Sequence, residues 1–197
     1  MQPRVSVATL AVRTPCMKQA MQVLTSSKSN EWWTPPEILD AVRDVIGDIE
    51  LDPASCAAAN EFVRAERIYT IEDNGLSQSW QARSLFLNSP YGKIGNRSGQ
   101  DVWMEYLIAQ LGSIGACIVL TKAVPGYVWW DRLFRGDWPG MLCITEGRLS
   151  FLSSDGGNKG QSKAASSLWY YGPFWYEFRE RFESIGRVLE PEHRRMR

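Results

Sequence analysis

Apolar positions along this chain follow two spacings that alternate with each other. Residues 37–46 carry apolar side chains three and four positions apart, the spacing of one helix face, at Ile38, Leu39, Val42, Val45 and Ile46. Short runs rich in apolar and β-branched residues predict strands at 49–51, 68–70, 84–87, 116–120, 141–145, 149–152 and 168–171. Further helices are predicted over 57–65, 102–111, 127–134 and 177–185. Strands that alternate with helices predict an α/β fold with a mostly parallel sheet and helices on both faces.

The ends of these elements predict where the folded domain lies. Thr34 is a typical helix cap, the prolines after it suit a first turn, and Gly47 ends the first helix. With 197 residues the chain is long enough for one domain. Residues 1–29, which carry basic but no acidic side chains, predict a loosely ordered extension. Residues 30–187 predict the domain itself and 188–197 a charged tail.

Composition narrows the chemistry of the site. The 22 basic side chains balance 22 acidic ones, so any contact with nucleic acid must come from a local basic patch. The chain has one histidine and four cysteines without CxxC spacing, which argues against a zinc site and predicts no metal. The cysteines are typical of reduced, mostly buried side chains, so we expect a cytoplasmic location. No apolar run reaches the length of a membrane span, so we expect no membrane partner.

Asn88-Ser89-Pro90-Tyr91 directly follows the apolar run at 84–87 and is the strongest candidate for chemistry. A strand that ends in a proline-stiffened turn presents an amide and an aromatic ring in a fixed arrangement. The amide oxygen of Asn88 can accept a hydrogen bond from an exocyclic amino group, and Tyr91 can stack on its ring. A main-chain carbonyl in the turn can accept the second amino hydrogen. Such a site needs no histidine base.

A second turn, Asp52-Pro53-Ala54-Ser55, follows the predicted strand at 49–51. Open α/β sheets bind ligands at the carboxyl ends of their strands. We therefore expect this turn and the Asn88 turn to border one crevice.

Several segments in a fixed order resemble one family. They are residues 31–39 (Glu-Trp-Trp-Thr-Pro-Pro-Glu-Ile-Leu), 51–55, 73–80 and 86–92, followed by 147–151 and 167–172. Together they are similar to the phage-type DNA N6-adenine methyltransferase family (Dam-like) over roughly residues 30–175. The resemblance implies a Rossmann-like methyltransferase fold of reduced size. It also implies S-adenosylmethionine as cofactor, adenine N6 in DNA as substrate and a bacterial or phage-infected cell as location.

The resemblance also implies roles for individual residues. The catalytic turn is Asn88, Ser89, Pro90 and Tyr91, with Ser89 where the family usually has proline. The residues implied to bind the methyl donor are Thr34, Pro35, Asp52, Pro53, Ala54, Ser55, Asp73 and Leu76. The glycine-rich continuation usual after the first donor-binding turn is missing here. Serine retains the main-chain oxygen and Pro90 still favours an extended Ser89, so we expect activity to survive with a looser turn.

Basic residues in or near polar loops are candidates for contacts with DNA: Lys93, Arg97, Lys122, Arg132, Arg135, Arg148, Lys159 and Lys163. Arg148, on a turn, is the best candidate for reading guanine edges. Three alternatives stay open at this point: methylation of cytosine N4, methylation of RNA adenine (the same turn also serves protein glutamine), and a catalytically weak nucleic-acid-binding member. A kinase is disfavoured because the chain has no GxxxxGK[ST] loop.

Overall fold

The computed structural model describes residues 32–153 and 158–190. Within them the helices are α1 (Pro36–Ile46), α2 (Ala57–Val63), α3 (Gly99–Gln110), α4 (Val128–Arg132) and α5 (Trp175–Phe182). The strands are β1 (Leu51–Asp52), β2 (Arg67–Ile68), β3 (Ala82–Asn88), β4 (Lys93–Ile94), β5 (Arg97–Ser98), β6 (Ile114–Lys122), β7 (Met141–Thr145), β8 (Ser150–Leu152), β9 (Asn158–Gln161), β10 (Ser166–Tyr171) and β11 (Gly186–Leu189).

Seven strands form one sheet in the order β11-β7-β10-β6-β3-β1-β2. The half that contains β2, β1, β3 and β6 is parallel throughout. In the other half, β10 runs antiparallel to both β6 and β7, and β11 runs antiparallel to β7. The sheet is thus partly parallel rather than mostly parallel between neighbours. The chain moves from β1 to β2 on one side and then to β3 on the other, which creates a crevice at the carboxyl end of β1.

Helices cover both faces of the sheet, as the sequence predicts. Neighbouring side chains of β3 alternate between the faces: Phe86 packs in the cluster that includes α1 and α5, whereas Leu85 and Leu87 pack in the cluster that includes α3 and α4. The predicted apolar face of α1 is buried throughout. Both faces of the central strands are therefore apolar, which explains the continuous apolar runs of the sequence.

Local structure departs from the sequence predictions at several points. The N-terminal cap of α1 is Pro35 rather than Thr34, and it makes no side-chain capping bond. The main-chain oxygen of Pro35 instead accepts from the first helical amides. Some strands lie where the sequence predicts none: β4 and β5 form a hairpin after Tyr91, and β9 pairs with β8.

The C-terminal boundary also differs. β11 (Gly186–Leu189) pairs with β7 and carries the sheet past residue 187, where the sequence predicts the domain to end. The missed strand is short and carries Arg187, so its sequence pattern is weak. The predicted extension at 1–29 lies outside the described residues, as does the tail from 191. Among the described residues, no helix has both the length and the apolar character needed to cross a membrane.

Candidate active site

One cavity of about 420 Å³ lies where β1 and β3 end, and we call it the site cavity. Its volume is in the range of small-molecule sites. Of the residues predicted from sequence, it is lined by Thr34, Asp52, Pro53, Ala54, Ser55, Leu76, Asn88, Pro90 and Tyr91. The structure thus brings the two predicted turns together. The other lining residues include Trp32, Trp33, Phe62, Tyr69, Thr70, Ile71, Asn74, Gly75 and Trp103.

Asn88, the last residue of β3, is held in one orientation by the segment before α1. Its Nδ2 donates to the main-chain oxygen of Trp32 at 2.7 Å and to Oγ1 of Thr34 at 3.1 Å. A carbonyl oxygen only accepts, so the contact with Trp32 determines which end of the amide is nitrogen. Asn88 Oδ1 is then left buried and without a hydrogen-bond partner among the described residues. A residue that lines the site cavity therefore carries an oriented acceptor for which the described residues supply no donor.

Ser89 is fully buried and tied to two neighbouring elements. Its main-chain nitrogen and its hydroxyl both donate to the carbonyl oxygen of Leu120, at 3.3 and 3.4 Å. The same hydroxyl accepts from Nε2 of Gln100, a buried residue of α3, at 3.2 Å. The turn is anchored through contacts that a proline could not make. Ser89 itself does not line the site cavity.

Tyr91 forms the outer part of the turn. Nζ of Lys122, at the end of the neighbouring strand β6, lies 4.6 Å from the centre of the Tyr91 ring. Burial raises the pKa of the Tyr91 phenol, so the phenol keeps its proton to a higher pH than an ordinary tyrosine does. Burial also lowers the pKa of Lys122, and the charge of nearby Lys163 lowers it further.

The turn after β1 forms the opposite wall. Oδ1 of the buried Asp52 accepts from the amide of Ala54 at 3.1 Å, a local bond that shapes the turn. The Ser55 amide donates to the main-chain oxygen of Tyr69 at 2.9 Å. Ser55 Oγ is buried and has no partner among the described residues. It is the second unpartnered polar atom that belongs to a residue lining the site cavity.

The third wall follows β2 and contains residues 69–76. Oδ2 of Asp73 accepts hydrogen bonds from the main-chain amide and the hydroxyl of Thr70, each at 2.8 Å. The hydrogen bond from the amide is the main cause of the lowered pKa of Asp73. Asp73 is exposed and does not line the site cavity, but its neighbours Asn74 and Gly75 do. A Cβ at Gly75 would lie 2.1 Å from the main-chain oxygen of Pro53, so this close approach of two walls requires glycine.

Comparison with known proteins gives one decisive match. The family model described as DNA N-6-adenine-methyltransferase (Dam) matches residues 22–196.

The chain belongs to the Dam family.

It is accordingly an adenine-specific DNA methyltransferase that acts at N6. The phage-type resemblance seen in the sequence thus points to the right family, and the partly parallel α/β sheet is consistent with a Rossmann-like methyltransferase fold. No curated protein and no solved structure matches the chain. Among the described residues of this Dam methyltransferase, no cluster of three or more histidine, cysteine or acidic side chains is arranged to hold a metal ion.

Several polar residues that line the site cavity of the methyltransferase are not predicted from the sequence, namely Trp33, Tyr69, Thr70 and Asn74. Trp33 is buried and lines the site cavity, and its Nε1 has no partner among the described residues. Its ring packs on Phe62 of α2, with ring centroids 5.7 Å apart. The Trp-Trp pair before Thr34 is the only sequence signal, and it is equally typical of a core. Pro35 does not line the site cavity; it is the N-terminal cap of α1.

The predicted DNA contacts of the methyltransferase divide into two groups. Lys122 lies at the Tyr91 turn, close enough to Lys163 to feel its charge, and Lys93 is exposed two residues beyond Tyr91. In contrast, Arg97 pairs with Asp101 and Glu105, and Arg132 pairs with Asp101 and Asp137. Arg135 and Arg148 are exposed, and the side chain of Lys159 lies outside the described residues.

Proposed function

We propose that the site cavity holds S-adenosylmethionine beside the N6 amino group of an adenine extruded from DNA. In this proposal Asn88 Oδ1 accepts a hydrogen bond from that amino group. The hydrogen bonding of the Asn88 amide carries the proposal: its nitrogen donates to Trp32 and Thr34, while no described residue donates to its oxygen. An adenine amino group is the donor that family membership supplies.

The chemistry of the site cavity fits the cofactor. Trp33 Nε1 can only donate, and Ser55 Oγ can donate or accept, so both suit the carboxylate, ribose or ring nitrogens of the cofactor. Apolar and aromatic side chains such as Leu76, Ile71 and Tyr69 suit its adenine ring. When bound there, the cofactor supplies a methyl group on a positively charged sulfur.

The chain's own residues would prepare the amino group. Its lone pair is delocalised into the adenine ring, which makes it a weak nucleophile. A hydrogen bond from the amino group to Asn88 Oδ1, and a second to a main-chain oxygen of the turn, favour a tetrahedral nitrogen with its lone pair free. Tyr91, which stays uncharged, stacks on the extruded ring. Because Trp32, Thr34, Leu120 and Gln100 hold the turn in place, these groups need little reorganisation.

Extrusion of the adenine is part of the proposal, since a duplex hides N6 in a base pair. Lys122 and Lys163 place positive charge next to Tyr91, where the phosphates of an extruded nucleotide would lie. Arg148 remains the predicted reader of a base edge, since its exposed turn leaves the side chain available.

Two measurements test the proposal together. Isothermal titration with S-adenosylmethionine should give one site per chain, and Trp33→Phe should weaken it. Incubation of the wild-type protein with the cofactor and unmethylated DNA, followed by nucleoside mass detection, should yield N6-methyladenine. Parallel incubations with RNA, and detection of N4-methylcytosine, test the alternatives. Methyl transfer to cytosine or to RNA alone would contradict the proposed substrate, and absence of cofactor binding would contradict the assigned cavity.

A further inference from the structure

The start of α4 presents two large apolar side chains to solvent. Tyr127 is 60% exposed and Val128 is 84% exposed, whereas Trp129 and Trp130, which follow directly, are buried. An exposed valine side chain contributes no hydrophobic stabilisation, and valine has a low helix propensity. We call Tyr127 and Val128 the α4 tip. Its exposure has no explanation in the packing of the described residues.

The α4 tip is held rigidly. Gly126 has φ of +92°, a conformation that favours glycine, and its amide donates to Oδ1 of Asp131 at 3.0 Å. The Tyr127 amide donates to the main-chain oxygen of Val124 at 3.1 Å, and the Tyr127 carbonyl accepts from Asp131 at 2.9 Å. The two exposed side chains therefore project from a fixed turn.

The α4 tip lies at the same sheet edge as the catalytic turn. It follows β6, which runs parallel to β3, so both strands end at this edge. Between them lies a second cavity of about 470 Å³, lined by Gly92 and Lys93 on one side and by Tyr127, Val128 and Trp129 on the other, with Ser98, Asp101 and Arg132 completing it. The α4 tip thus faces the catalytic turn across a space that opens to solvent.

Trp129, which lines the second cavity, adds a polar group. Trp129 is 6% exposed, and its Nε1 has no hydrogen-bond partner among the described residues. An indole nitrogen can only donate, and the exposed Lys93 lines the same space. Arg132 also lines it but pairs with Asp101 and Asp137. Trp129 and Lys93 are therefore the groups that match a ligand with many acceptors, such as a sugar–phosphate backbone.

Extrusion of one base leaves a gap in the duplex. Proteins that deform DNA frequently insert apolar side chains between base steps, and such a side chain restores contacts that the departed base had made. We propose that Tyr127 and Val128 enter the base stack of duplex DNA at the position vacated by the target adenine, while the second cavity receives the backbone of the extruded nucleotide. The inference rests on the proposed extrusion of adenine into the site cavity.

Other exposed apolar side chains do not fit this role. Phe134 stacks on Trp130, with ring centroids 5.4 Å apart. Phe174 and Tyr176 are exposed at the start of α5, directly after β10. Because β10 runs antiparallel to β6, its carboxyl end lies at the sheet edge opposite the catalytic turn. Tyr176→Ala is therefore a matched control, since it removes an exposed ring remote from the site.

The test compares the Tyr127→Ala/Val128→Ala double variant with the wild-type protein on two duplexes. Both duplexes carry a sequence that the wild type methylates; in one the target adenine is paired with thymine, in the other it is mismatched. A mismatched base is easier to extrude, so a stack-filling side chain matters less there. The variant should lose roughly tenfold in kcat/KM on the paired duplex, the loss expected for one stacking contact, and less than about twofold on the mismatched one.

Two further readouts keep the test decisive. Fluorescence of 2-aminopurine at the target position should rise when the wild type binds and should rise several-fold less with the double variant. Cofactor binding and thermal unfolding of the variant should match the wild type, and Tyr176→Ala should behave as wild type throughout. Equal losses on both duplexes, or no loss on the paired one, would overturn the inference. If the wild type methylates adenine in no duplex, so that no such pair of duplexes can be chosen, the proposed function is overturned instead.

Discussion

Nδ2 of Asn88 lies 2.7 Å from the main-chain oxygen of Trp32, which links the end of β3 to the segment that precedes α1. The two residues are 56 positions apart in the chain. This bond settles the orientation of the amide and, with the second bond to Thr34, directs its oxygen away from both partners. Trp32 and Thr34 thus position the amide that we propose as catalytic, and both also line the site cavity.

Replacement of Thr34 should test this positioning. Thr34→Val retains the shape of the side chain but removes the oxygen that accepts from Asn88 Nδ2. We expect kcat to fall about fivefold, because one hydrogen bond of about 1 kcal/mol no longer restrains the amide. Thr34→Ser retains the oxygen and should keep most of the activity. Steady-state kinetics on duplex DNA would measure both variants, and equal activity of the valine variant would show that the contact does not restrain the amide.

Restoration of the usual proline at position 89 should not help this protein. Ser89→Pro removes the main-chain donor to Leu120 and leaves the buried Nε2 of Gln100 without its acceptor. We expect a loss of about 1–3 kcal/mol in the free energy of unfolding and no gain in turnover.

Denaturant unfolding and turnover of Ser89→Pro can be compared with those of Ser89→Ala, which keeps the main-chain donor. A more stable or faster proline variant would show that the serine turn is the looser one, as the sequence alone suggests.

Trp33 should contribute to cofactor affinity through its indole nitrogen. Trp33→Phe keeps an aromatic ring against Phe62 but removes the donor at Nε1. We expect S-adenosylmethionine to bind roughly tenfold more weakly, the range for a lost hydrogen bond to a charged or polar ligand group.

Trp138→Phe is the control for Trp33→Phe. It removes an indole donor that bonds the main-chain oxygens of Met141 and Tyr170. It should reduce stability without changing cofactor affinity in isothermal titration. Unchanged affinity of Trp33→Phe would remove this residue from the cofactor site.

DNA affinity should depend on pH through Lys122. Burial and the charge of Lys163 lower the pKa of Lys122, so this side chain loses its proton at a lower pH than an ordinary lysine. We expect DNA binding to weaken as pH rises through that lowered pKa. Lys163→Gln removes the repelling charge, so the same weakening should occur at higher pH, even if affinity is lower overall.

Fluorescence anisotropy with a labelled duplex would follow this dependence between neutral and alkaline pH. Lys122→Arg, which stays charged throughout, should abolish the weakening caused by Lys122. If the pH profile of DNA binding is the same in wild type and Lys122→Arg, Lys122 does not contact the DNA.

The lowered pKa of Lys122 also affects folding stability. Because the folded protein binds fewer protons than the unfolded chain between the lowered and the ordinary pKa, the free energy of unfolding rises with pH in that interval.

The central crevice was predictable because it follows from local patterns and one topological rule. Asp52 and Asn88 each follow a buried apolar run, and parallel neighbours end at one edge. The prediction that Thr34 caps α1 was wrong. A threonine hydroxyl can accept from a helix amide or from another side chain, and only the tertiary contact with Asn88 shows which of the two occurs here.

Antiparallel pairings were harder to predict. β9 and β11 are short and carry polar or charged residues, so no local sequence pattern predicts them. They are strands because β9 pairs with β8 and β11 pairs with β7. The unpartnered nitrogen of Trp33 could not be inferred either, since a missing partner is a property of the folded surroundings.

The most direct test of the account is the amount of N6-methyladenine formed by the wild type and by Asn88→Ala under identical conditions. DNA treated with each protein and S-adenosylmethionine would be digested to nucleosides and quantified by mass detection, and cofactor affinity would be measured in parallel. Loss of the side-chain acceptor proposed for the amino group should lower the rate by about 100-fold or more while cofactor binding persists. An Asn88→Ala protein that methylates adenine at the wild-type rate would contradict the account.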